Sequence, residues 1–151
     1  MNNTKFQNVL LDHFPRLGNH YEAVMFDMDS KDRTVGLSCP PKQFLDNQVL
    51  DDVKSMLTKD GHFILNLVCR DVDLQQSIMD ILKRHFKHLT TVKLYEEVNE
   101  IVFATNSNKM YNTDDFGKAV KDLNASARQK KLVDIRCVDL KDFLQSVIVI
   151  S

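Results

Sequence analysis

Glycine is scarce in this chain. Its four glycines, Gly18, Gly36, Gly61 and Gly117, lie far apart. Neither a G-x-G-x-x-G turn nor a phosphate-cradling P-loop can be assembled from them. Cysteine is equally sparse: Cys39, Cys69 and Cys137 are an odd number at wide spacing. That spacing excludes a disulfide framework and a zinc pattern, and it points to reduced thiols in a cytoplasmic setting. No apolar run approaches the roughly 20 residues that a bilayer-spanning helix needs. The start, Met1-Asn2-Asn3-Thr4-Lys5-Phe6, lacks both the basic region and the apolar core of a secretory signal. Charge of one sign is missing too. A formal net charge of −1 gives no electrostatic reason to expect nucleic acid or an anionic membrane. What remains is a chain of 151 residues, 43% hydrophobic and 27% charged, long enough to bury one real core.

The apolar residues are distributed as alternating helices and strands. Phe6, Val9, Leu10, Phe14 and Leu17 form a helical stripe over 4–17 that Pro15 and Gly18 bring to an end. Residues 22–27 read as a short buried strand, and 28–43 as a polar loop with Pro40-Pro41. A helix from 44 to 57 carries Phe44, Leu45, Val49, Val53, Met56 and Leu57, with Lys59-Asp60-Gly61 as its stop. Residues 62–69 form a second buried strand, and Leu74, Ile78, Ile81, Leu82, His85 and Phe86 mark a helix over 72–88. Two strand-like runs, 90–96 and 99–105, are close enough for an antiparallel hairpin. Thr113 caps a further helix with Asp114 and Asp115 in its first turn. A short segment at 140–144 and the strand-like Val147-Ile148-Val149-Ile150 close the chain. The expected fold is α/β: a parallel sheet ending in an antiparallel hairpin with flanking helices. Residues 1–106 make the main unit, and 107–151 make a mostly helical extension packed on it.

The chemistry concentrates where strands end. In open α/β sheets ligands bind outside the carboxyl ends of the strands. The run Tyr21-Glu22-Ala23-Val24-Met25-Phe26 ends there in Asp27, Asp29 and Asp32, and a second strand ends in Cys69-Arg70-Asp71. A carboxylate beside an amine can position it for group transfer; the alternative is a solvated turn. Asn66 inside an apolar strand reads either as a pocket residue or as a satisfied core amide. Cys69 reads as a buried small apolar group rather than a nucleophile. His85 and His88 share a helix face with no third ligand, so no metal site is expected. The acidic run Glu96-Glu97-Val98-Asn99-Glu100 and the basic run Arg128-Gln129-Lys130-Lys131 read as solvated charges.

Three segments carry a resemblance. They are Phe26-Asp27-Met28-Asp29-Ser30-Lys31-Asp32 with Gly36 and Ser38-Cys39-Pro40-Pro41, then Phe63 to Asp71, then Glu97-Val98-Asn99-Glu100-Ile101-Val102-Phe103. They resemble the C-terminal methyltransferase domain of the elongation factor 1-alpha lysine and N-terminal methyltransferase family, methyltransferase-like protein 13. That family sits in the spermidine-synthase-like branch of the class I enzymes that use S-adenosylmethionine (SAM). The resemblance spans about residues 20–105. It implies a Rossmann-like sheet of which this chain is the C-terminal half, and methyl transfer from SAM to a protein lysine or N-terminal amine. Asp27 matches the acidic residue that faces the acceptor amine, and Asp29 and Ser30 would line the same pocket; Asn66 is a substrate-binding candidate on its place in the strand alone. Translation elongation factor 1-alpha would be the protein substrate.

The glycine-rich turn and the strand-ending acid with which the family holds SAM have no counterpart in this sequence. The expectation is a methyltransferase relative that is not active by itself. Two other classes stay open: a spermidine-synthase-like aminopropyltransferase, and a non-catalytic dimerisation or regulatory module. The strand at 22–27 carries no protective lysine or proline, so an open edge there should find a partner. A second copy (a homodimer), the other half of the domain, or the chain's own Val147–Ile150 segment are the candidates.

Overall fold

The computed structural model describes residues 21–30, 36–93, 98–109, 112–129 and 147–150. The expected helix at 4–17 and the segment at 140–144 lie outside them. Strand β1 (Tyr21–Phe26) is followed by the short β2 (Leu37–Cys39), a 3-10 turn (Lys42–Leu45) and helix α1 (Asn47–Met56). Next come β3 (Leu57–Cys69), α2 (Val72–His85), β4 (His88–Lys93), β5 (Asn99–Thr105), α3 (Thr113–Gln129) and β6 (Val147–Ile150). None of the described helices is long and apolar enough to cross a membrane.

The sheet order is β1-β3-β5-β4-β6, with β2 beside β3. β1 and β3 are parallel. β5 inserts antiparallel between β3 and β4, the expected hairpin. Two further strands also run antiparallel to their neighbours, β2 and β6, where the sequence suggested only one. The C-terminal strand pairs with β4, opposite Leu89 to Val92. The idea that it covers β1 is thereby corrected: it closes the far edge of the sheet.

β3 is the spine, and its thirteen residues alternate strictly from Gly61 onward. Phe63, Leu65, Leu67 and Cys69 are buried on one face, while His62, Ile64, Asn66 and Val68 are half-buried on the other. Strand geometry requires this period of two. Onto the first face α1 lays Leu50 and Val53, and α2 lays Ile78, Met79 and Leu82. The Asp71 side chain caps α2 by accepting the Leu74 N–H at 3.0 Å. Asp73 in the first turn and Lys83, Arg84 and His85 in the last complement its dipole. Four phenylalanines knit the layers. Phe26 meets Phe44 and Phe63 edge-on, with ring centroids at 5.4 and 5.0 Å, and Phe63 stacks on Phe86 at 5.6 Å.

The segment read as a helix stop, Lys59-Asp60-Gly61, lies inside β3 instead. Tyr21 pairs with Leu57 and Ala23 with His62, so β3 carries extra residues in a bulge. A side chain at Gly61 would come within 2.9 Å of the Tyr21 carbonyl oxygen, so the close approach of the strands fixes glycine there. Thr105 Oγ1 donates to the Gly61 carbonyl at 2.8 Å, and the Ser107 hydroxyl to Asp60; these bonds hold the bulge.

Phe63, fully buried at the junction of three rings, should be the most costly single truncation. Phe63→Ala is expected to lower unfolding free energy by about 3–5 kcal/mol, read from urea denaturation. A loss under about 1 kcal/mol would contradict this core assignment.

Candidate active site

Three polar side chains on neighbouring strands form one chain of hydrogen bonds. Asp27 immediately follows the last residue of β1, where Phe26 pairs with Leu65 of β3. The next residue of β3 is Asn66, and its Nδ2 donates to Asp27 Oδ1 at 2.8 Å. Asn66 pairs with Ile101 of β5, and Asn99 stands two residues further along that strand, opposite Val68. From this diagonal position Asn99 Nδ2 donates to Asn66 Oδ1 at 3.2 Å. The direction of the chain is set at its Asp27 end. An ionised carboxylate only accepts, so the Asn66 amide must turn its NH2 toward Asp27 and its oxygen toward Asn99. One carboxylate oxygen of the exposed Asp27 is thus held in place.

The loop after β1 is tied to β2. The Ser30 backbone N–H donates to the Ser38 carbonyl of β2 at 2.6 Å. Gly36, at φ +73°, immediately precedes β2, and a side chain on it would press on Asp71 Cβ at 3.2 Å. Arg70 ties the same corner together. Its N–H donates to the Gly36 carbonyl at 3.0 Å and its Nη1 to the Ser38 hydroxyl at 3.2 Å. The structure therefore brings Asp27 and Asn66 into direct contact. It leaves Asp29 exposed at the loop and anchors Ser30 through its backbone.

The two described cysteines are buried, free thiols. Burial pushes the Cys39 thiol up; a hydrogen bond from the Met28 backbone works against this, and the charges of Asp27 and Asp29 add to it. Burial also raises Cys69, opposed by a hydrogen bond at the Asp71 backbone and reinforced by the Asp71 charge. Cys69 Sγ donates to the Asp71 carbonyl at 3.2 Å. Both are neutral packing groups at the edge of the site. His85 is engaged elsewhere, between Asp51 (3.1 Å from Nδ1) and Asn47 (2.9 Å from Nε2). Among the described residues no group of three or more His, Cys, Asp and Glu side chains is arranged to hold a metal ion.

Sequence reading missed the part played by Asn99, which it counted among the charges of a hairpin tip. The available signal was its place on β5. Asn99, Ile101, Phe103 and Thr105 share the face of Asn66. Glu100, one residue on, points to the other face and accepts a hydrogen bond from Gln75 of α2. Glu96 and Glu97 lie outside the described residues.

A raised thiol pKa means less thiolate at a given pH. Cys39 and Cys69 are expected to resist iodoacetamide at pH 8 in the native chain and to react once it is unfolded in urea. Equal rates in both states, read by mass spectrometry, would contradict the assignment.

No protein-family model matches the chain. Individual proteins do. The eEF1A lysine and N-terminal methyltransferase homolog of Drosophila melanogaster is 35% identical over 144 residues, 91% of this chain and 21% of that protein. The eEF1A lysine and N-terminal methyltransferase of Mus musculus is 55% identical over 84 residues, 56% of this chain and 12% of that protein. Among solved structures, human methyltransferase-like protein 13 in complex with SAH (S-adenosylhomocysteine) superposes with a TM-score of 0.63 at 40% identity. The match covers 79% of this chain and 51% of that one. The chain spans about a fifth or less of the length of these curated relatives. In sequence and in fold, it is a homologue of a segment of the eEF1A lysine and N-terminal methyltransferases.

Proposed function

We propose that this chain supplies the acceptor side of a SAM-dependent protein methyltransferase, one that modifies a lysine or N-terminal amine of eEF1A. The observation that carries this reading is the Asp27–Asn66–Asn99 chain at the carboxyl end of β1 and β3. A methyl acceptor must be a neutral amine with its lone pair free, so its remaining N–H bonds need acceptors that leave the lone pair unobstructed. Asp27 suits that task. Asn66 holds one of its oxygens, and the second can accept from an amine N–H at a fixed place. The same carboxylate stabilises the positive charge that grows on nitrogen during alkylation. Asp29, exposed beside it, adds to the local negative potential that attracts a cationic lysine.

The described residues fit an amine better than they fit the cofactor. SAM supplies the methyl group, but its carboxylate and ribose call for a donor-rich turn and a strand-ending acid. The described glycines are committed to other duties: Gly36 to the β2 turn, Gly61 to the bulge and Gly117 to helix α3. We therefore assign SAM binding to the portion of the relatives' domain that this chain does not match. The free thiols Cys39 and Cys69 suit a reducing compartment such as the cytoplasm.

The test is methyl transfer from labelled SAM to eEF1A, with the chain alone and joined to the unmatched half of the human relative's domain. Transfer is expected in the joined form, and Asp27→Asn should reduce kcat about 10²-fold. Unchanged turnover in Asp27→Asn would overturn the assignment of the acceptor site.

A further inference from the structure

The carboxyl end of the sheet carries two apolar side chains that neither the core nor local structure accounts for. Val72, the first residue of α2, is 76% exposed, and Val98, just ahead of β5, is 47% exposed. A β-branched residue adds little to helix propensity, and the connection between β4 and β5 calls for polar residues or glycine. One exposed valine is ordinary surface. Two of them beside the Asp27–Asn66–Asn99 chain are a feature of that site.

The Gln75–Glu100 hydrogen bond places them. Gln75 Nε2 of α2 donates to Glu100 Oε2 of β5 at 2.5 Å, which ties the first turn of the helix to the start of the strand. Val72 lies three residues before Gln75, on the same side of α2 and nearer its start. Val98 lies two residues before Glu100. Helix α2 leaves the carboxyl end of β3, and β5 runs antiparallel to β3 with Asn99 opposite Val68. Both steps away from the hydrogen bond therefore lead toward the carboxyl end of β3. They amount to about 5 Å along the helix and about 7 Å along the strand, so the two valines stand at similar height. Val98 is also the chain neighbour of Asn99, the last member of the polar chain.

The surroundings are acidic. Among the described residues, the ends of β1 and β3 carry four exposed carboxylates, Asp27, Asp29, Asp71 and Asp73, against one exposed guanidinium, Arg70. Such a rim attracts a basic polypeptide and opposes the same rim of a second copy. From Asp27 to Val98 the path crosses two strand spacings, about 10 Å, which is roughly the span of three extended residues. Resting on the amine-acceptor reading above, we infer that Val72 and Val98 are a docking platform for the substrate polypeptide. It takes an apolar side chain about three residues from the methylated amine, and the carboxylates hold basic residues in between. The platform selects acceptors by the sequence around the amine, whereas Asp27 meets only the amine itself.

The experiment follows the methyl resonances of Val72 and Val98 and the side-chain amide of Asn66 by NMR in the full chain. The probe is a peptide with blocked termini and one lysine, flanked by arginines, with a leucine three residues away in each direction. Its twin has serine for both leucines. The leucine peptide should shift both valines and Asn66; the twin should shift Asn66 alone and bind about 10-fold more weakly. Val98→Ser and, separately, Val72→Ser should each narrow that difference to about twofold or less. Both side chains are exposed, so the urea midpoint should stay unchanged in either variant. Equal affinities for the two peptides with silent valines would overturn the platform and leave the acceptor reading standing. Silence at Asn66 with both peptides would remove the acceptor reading, and the platform with it. Valine shifts that grow with protein concentration in the absence of peptide would give the patch to a second copy and overturn its substrate role.

Discussion

The strict alternation of β3 is the constraint on which the rest depends. Its odd-numbered side chains, Phe63, Leu65, Leu67 and Cys69, face the helices and make the core. Its even-numbered ones, His62, Ile64 and Asn66, form the opposite face. A shift of register by one residue would exchange these sets, so burial of the phenylalanine cluster is what places Asn66 beside Asp27. The same strand contacts β1, β2 and β5. Core stability and the geometry of the polar chain are two consequences of one pattern.

The site shows how modest groups gain precision from a rigid frame. Asp27 lies just past the end of a strand, on a loop tied to β2 by the Ser30–Ser38 hydrogen bond. Alone, such a carboxylate would sample many rotamers. Asn66 and Asn99, each on a strand, restrict it through bonds of 2.8 and 3.2 Å. Side chains held on regular elements are placed more precisely than side chains on loops, and the two asparagines lend that precision to a loop carboxylate. β1 is also the edge of the described sheet, so the carboxylate stands where a second layer of structure can close over it.

Much of this was legible in the sequence, for reasons that differ from residue to residue. An apolar run ending in Asp27 and a second strand containing Asn66 could be read directly, because burial and strand ends leave local traces. Asn99 could not, because its contact with Asn66 depends on the register between β3 and β5. The bulge at Lys59-Asp60-Gly61 was read as a helix stop, since a Gly in that setting is ordinary turn chemistry. The close pairing of Tyr21 with Leu57 overrode that local preference. β2, at three residues, is too short to show a period, and the partner of β6 was open because an apolar tetrapeptide fits either edge. The α/β order and the strand hairpin, by contrast, followed from periodicity and the brief connection between the runs at 90–96 and 99–105.

The central claim is that the Asp27–Asn66–Asn99 chain receives an amine. The most direct test follows the side-chain amide resonances of Asn66 and Asn99 by NMR while a lysine-bearing peptide of eEF1A is added, with the same peptide acetylated at lysine and N-terminus as control. The account predicts that the free-amine peptide shifts both amides, Asn66 more than Asn99, and that the acetylated one does not. Equal shifts with both peptides, or none at Asn66, would contradict it.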